Sequence, residues 1–175
     1  RKKTRRVQRL YALLQERMTR PQATWGEGIT VLDDPELGDT PLVVRRAMAF
    51  EKALLEMPIA IEDDDLIVGN NVWDGDIVRT RLPTYATAAE YDRAAEEGSS
   101  ISAHLGHKTP YYPVLLEGGL SSVIADIGAK LAEIGARPQS TERDEKLALF
   151  EAMRIECLAV IALAHRYADL AESVA

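Results

Sequence analysis

The sequence predicts a mainly α-helical fold with a few short strands, and three observations carry that prediction. Apolar residues recur at the 3.6-residue period over 4–18, 40–57, 87–97 and 114–135, and again from residue 140 to the end. Capping residues, glycines and prolines punctuate those stretches where helices begin and stop. Extended apolar runs, by contrast, are short: Ile29 to Leu32, Ile59 to Ile61 and Leu66 to Val68.

In chain order, Thr4 to Met18 reads as an amphipathic helix with Val7, Leu10, Tyr11 and Leu14 on one face, stopped at Arg20-Pro21 because the residue before a proline disfavours helical geometry. Gln22 to Asp39 is broken by Gly26, Gly28, Pro35 and Gly38 and reads as a loop. Within it, Ile29 to Leu32 is the segment extended enough for a strand, and Trp25 is expected to pin the loop to the core. Thr40-Pro41 predicts a helix start, with a capping hydroxyl followed by proline at the first helical position. That helix runs to Met57 and ends at Pro58. Its expected buried face holds Val43, Val44, Ala47, Met48, Phe50, Ala53, Leu54 and Met57, with Arg45, Arg46, Glu51, Lys52 and Glu56 on the other side.

Residues 70–84 contain Asp74-Gly75, a tight-turn signal, and suggest an irregular hairpin. Thr87 with Glu90 three residues later predicts a capping box that opens a short helix closed by Gly98. Val114 to Gly135 reads as one helix, in which Gly118, Gly119 and Gly128 are expected to admit close approach of another helix. The last helix starts at Ser140 or Thr141 with Asp144 near its positive end, and is the longest in the chain. Ile155 to Ala164 is apolar nearly all round, which predicts burial on more than one side and exposed apolar surface wherever its partners are missing.

Composition narrows the function classes. With 46% hydrophobic and 28% charged residues, the chain is neither disordered nor fibrous, and 175 residues suffice for a single domain with a core. Net charge is −7, yet Arg1, Lys2, Lys3, Arg5, Arg6 and Arg9 concentrate positive charge at the start, leaving about −13 for the rest. The basic arm runs straight into a helical pattern without interleaved aromatics and reads as a solvated helix start, while the acidic remainder argues against nucleic acid. A lone Cys157 excludes a disulfide framework or multi-cysteine metal site within these residues, and no apolar run reaches the length of a membrane span. Together these point to a cytoplasmic setting. The sequence begins without methionine and stops inside a helical pattern, so residues 1–175 read as one unit that continues beyond residue 175.

Two stretches carry candidate chemistry. Glu62, Asp63, Asp64 and Asp65 are four adjacent acids between two apolar runs, but a calcium loop needs ligands at alternate positions around a glycine, so a charged turn is the expectation. From Ser99 to Pro113 the chain gathers His104, His107, Lys108, Tyr111 and Tyr112 in a loop. A catalytic zinc would need a third protein ligand beyond His104 and His107, and His165 stands about sixty residues away, so no metal is expected. For His107 two roles stand side by side: a hydrogen-bond donor facing substrate, or an imidazole that ties down the loop backbone.

Several blocks, in order, resemble one family. Arg46-Ala47, Leu54 to Ile59 and Asp64 to Asn70 are followed by Gly106-His107, Tyr112 to Leu115, Gly119-Leu120 and the helix ending Ala164 to Ala171. This series is similar to the N-terminal part of the pyruvate formate-lyase domain of glycyl radical enzymes. The resemblance implies the N-terminal helical portion of a ten-stranded α/β-barrel, belonging to a lyase or dehydratase that works by radical chemistry, or a formate acetyltransferase-like enzyme. It implies a glycyl radical in the full-length enzyme, installed by a radical-SAM activating enzyme, and as partners the remainder of the barrel, a second subunit and that activating enzyme. No nucleic acid or membrane is implied.

Catalytic residues are not expected in these 175 residues. The family's reactive cysteine lies on a loop tip, whereas Cys157 falls in a helical apolar stretch and reads as a small buried hydrophobe. No arginine-valine-alanine-glycine-tyrosine type motif for the radical glycine occurs. His107 is the candidate substrate-binding residue, on the side the resemblance assigns to the barrel interior. Where the family carries a proline-glutamate segment, this chain has Arg81-Leu82-Pro83-Thr84-Tyr85, so carbon–carbon cleavage, dehydration, carbon–nitrogen cleavage and decarboxylation all stay open. Two other readings compete: a helical protein-interaction module without catalysis, and a small hydrolase built on the His104/His107 loop. The hydrolase lacks a nucleophile-elbow pattern.

Overall fold

The computed structural model describes residues 4–19, 23–26, 28–61, 68–69, 78–80, 82, 86–101 and 111–174. Thr4 opens α1 (Arg5–Thr19) by accepting from Val7 N at 3.3 Å, which satisfies one of the amide donors left unpaired at a helix start. After it comes β1 (Ala23–Trp25), whose partner is β2 (Val78–Thr80). The two run parallel, with Ala23 opposite Val78 and Trp25 opposite Thr80. One prediction changes here: the strand of the first loop falls at Ala23–Trp25 and not at Ile29 to Leu32. Of the expected hairpin, the described strand Val78–Thr80 pairs with a segment more than fifty residues upstream, and the rest of that turn lies outside the described residues. Leu82 then passes so close to Gly26 that a Cβ at Gly26 would lie 2.9 Å from both Cβ and N of Leu82. With φ at +85°, position 26 requires glycine twice over.

Val31 and Leu32 are buried in a turn, followed by a 3-10 helix at Pro35–Leu37 that Asp34 caps by accepting from Glu36 N at 2.9 Å. Burial drove the apolar composition of Ile29 to Leu32, with no strand required. Helix α2 (Leu42–Glu56) starts one residue later than predicted. Pro41 is its N-cap and no side chain caps it, while Val44 N and Arg45 N both donate to the Pro41 carbonyl. The end before Pro58 is as expected, with Met57 N donating to Ala53 O at 3.0 Å. Ala47, Ala53, Leu54 and Met57 are buried, and Ala49 joins them. Arg45 is half-buried and not solvent-facing, because its guanidinium reaches back to the Leu32 carbonyl and ties the loop to α2.

Beyond α2, Ile59 to Ile61 form no strand, and the acids 62–65 lie outside the described residues. Helix α3 (Ala88–Glu96) has the predicted capping box: Glu90 N donates to Thr87 Oγ1 at 3.2 Å and Thr87 N donates to Glu90 Oε2 at 2.7 Å. A second acceptor comes from far away in sequence, since Ala88 N donates to Asp33 Oδ2 at 2.9 Å. The predicted single helix 114–135 is two: α4 (Tyr112–Glu117) and α5 (Gly119–Gly135). They break at Gly118, where a Cβ would sit 2.3 Å from Ser122 Oγ, and Gly119 takes φ +65°. Gly128, by contrast, has no atom beyond its own stretch of helix backbone within 4 Å of where its Cβ would lie, so the expected close helix contact is not made by the described residues.

Helix α6 (Thr141–Val174) is the longest, at 34 residues and about 50 Å by the rise of an α-helix. Ser140 Oγ accepts from Arg143 N at 3.2 Å and Asp144 lies in the first turn, as predicted, and Glu142 joins it there. It is the spine of the fold, packing most extensively on α2 and next on α5. One core cluster joins Val31, Leu32, Ala49, Ala53 and Leu82; a second joins Leu54, Met57 and Ala159. Trp25 packs against both, the pinning role expected of it. Burial along 155–164 is one-sided: Ala159 is buried, whereas Leu158 and Val160 remain 40% and 41% exposed. The apolar surface expected to stay exposed where partners are missing is present. Among the described residues no helix is long and apolar enough to cross a membrane.

Candidate functional site

The two ends of the histidine loop are in place, and the imidazoles themselves, His104 and His107, lie outside the described residues together with Lys108. At the entry, α3 stops because Gly98 takes φ +68° and Ser99 folds back, its amide donating to Ala94 O at 2.8 Å and its hydroxyl to the same oxygen at 3.0 Å. The Ser99 hydroxyl is thus committed to the helix end instead of being offered to a base. At the exit, Tyr111 is the N-cap residue of α4, with Pro113 in the first turn fixing its direction.

A cleft of about 350 Å³ borders that entry, lined by Arg46 from α2, by Glu90, Arg93 and Glu97 from α3, and by Ser99 and Ile101. Its charges balance in sign. Arg46 Nη2 stands 3.9 Å from Glu90 Oε1, an electrostatic approach longer than a hydrogen bond. The Thr87 amide, then its hydroxyl, and more weakly Arg46 and Arg93 hold the Glu90 carboxyl below its ordinary value, so it stays ionised and committed to the cap. This carboxylate orders the start of α3 and is not poised to move protons.

The other notable cluster lies where α6 crosses the end of α2. Arg166 donates from Nη1 to Leu54 O and from Nη2 to Met57 O at 2.7 Å, serving carbonyls that the ending helix leaves without amide partners. Sequence reasoning missed this role. The available signal was an arginine just after the apolar stretch 155–164. About two and a half turns earlier, Cys157 is half-buried, less enclosed than expected, and burial followed by the neighbouring Glu156 pushes its thiol up from the ordinary value. A helical thiol kept protonated in this way is no nucleophile. Glu156, although open to solvent along part of its side chain, has its carboxyl pushed up by the apolar surface around it.

Among the described residues no three of His, Cys, Asp and Glu gather closely enough to hold a metal ion. Cys157 itself is on α6, the helical setting expected of it.

Comparison with known proteins gave one finding. A family model described as pyruvate formate lyase-like matches residues 72–175, more than half of the chain. That range includes Gly106-His107, Tyr112 to Leu115, Gly119-Leu120 and Ala164 to Ala171. Neither the curated proteins nor the solved structures gave a match.

Proposed function

From the premise that the chain belongs to the pyruvate formate lyase-like family, we propose that residues 1–175 form the N-terminal helical portion of a barrel-shaped glycyl radical enzyme. The family match over residues 72–175 carries this reading. In the full-length enzyme the glycyl radical, installed by a radical-SAM activating enzyme, supplies hydrogen abstraction from a small polar metabolite through a cysteine outside these residues. The product class is a lyase, dehydratase or formate acetyltransferase-like reaction, carried out in the cytoplasm by a homodimer. Residues 1–71 belong to the same unit, a reading supported by the packing of α2 on α6 and by the Arg166 tie.

The contribution of this portion is structural, with one exception. In the sequence His107 follows Gly106 and precedes Pro110 and Pro113, residue types that restrict or permit sharp turns of the backbone, whereas His104 has no glycine or proline directly beside it. We place His107 on the substrate side, where an imidazole hydrogen-bonds a hydroxyl or carboxylate and exchanges a proton as the leaving group departs, a role worth roughly 10²- to 10⁴-fold in rate.

The test is anaerobic activation of the full-length protein, followed by electron paramagnetic resonance. A glycyl radical signal is expected, and its absence together with absence of a radical-glycine motif downstream overturns the reading in favour of a helical interaction module, which the exposed side chains of α4 would suit. In the activated enzyme His107→Ala should lower turnover at least about tenfold with radical yield unchanged, while His104→Ala does little. Equal small effects would return His107 to tying down the loop.

A further inference from the structure

We draw no further inference here: the strongest candidate, the exposed apolar face of α4 formed by Tyr111, Tyr112, Leu115 and Leu116, carries nothing because nothing in the structure shows what covers it.

Discussion

Arg166 shows how a single side chain binds regions more than a hundred residues apart. Its guanidinium presents donors in a fixed fork, so it meets the Leu54 and Met57 carbonyls together, and a lysine ammonium on a flexible stem cannot reproduce that geometry. Hydrogen bonds from a charged donor contribute about 1.5–3 kcal/mol, so Arg166→Ala should lower unfolding stability by roughly that amount in urea titration, with Arg166→Lys in between. Equal stability of all three would mean the tie is incidental. Glu156 gives a prediction with a pH signature. Its folded carboxyl is pushed above the ordinary value, so the folded state resists ionisation more than the unfolded chain does. Above the raised folded value that resistance is a cost; as pH falls through it the folded carboxyl takes up a proton, and below the ordinary carboxylate range both states are protonated and the cost has disappeared. Glu156→Gln should therefore stabilise the chain at pH 7 and lose its advantage as pH falls below about 4, the region of an unperturbed glutamate. A stabilisation independent of pH would point to packing instead.

Helix boundaries divide into those set locally and those set from a distance. Thr87, Glu90 and Gly98 lie within one short segment, so the start and stop of α3 were readable from sequence, as was the Ser140 start of α6. The Asp33 acceptor at the start of α3 comes from another part of the chain and left no local mark. The α4–α5 break is intermediate: two adjacent glycines announce freedom, but only the structure shows that Gly119 uses it, at φ +65°, and that Ser122 leaves no room for a Cβ at position 118. Gly128 has an ordinary helical backbone and open space around it, so it carries the entropic cost of glycine without the benefit of a contact. Gly128→Ala should raise stability by about 0.5–1 kcal/mol, measured as a shift in the urea midpoint at unchanged slope. Destabilisation instead would reveal a helix pressed against α5 in solution.

At the scale of the molecule, the matched stretch 72–175 and the core do not coincide. The second cluster joins Leu54 and Met57, before the match begins, to Ala159 within it, and β1 and β2 also pair across that boundary. A chain restricted to residues 72–175 loses α2 from the flank of α6 and uncovers Ala159 and Leu163. It should melt without a sharp transition and bind an apolar dye strongly, while the 175-residue chain melts cooperatively in calorimetry. Cooperative melting of the shorter piece at the same temperature would make the match a domain by itself. The sequence by itself determined the helical class, the order of helices, the capping box of α3 and the long terminal helix, because periodicity and capping depend on residues within a few positions of one another. It also carried the family resemblance, in blocks spread along the chain. Only the tertiary structure decided that Ala23–Trp25 pairs in parallel with Val78–Thr80, that Val31 and Leu32 are buried without being a strand, that Arg45 and Arg166 turn inward to backbone carbonyls, and that one side of 155–164 stays uncovered. Each of these depends on which distant segment arrives alongside, and an apolar run or an arginine reads the same in sequence whichever neighbour it meets.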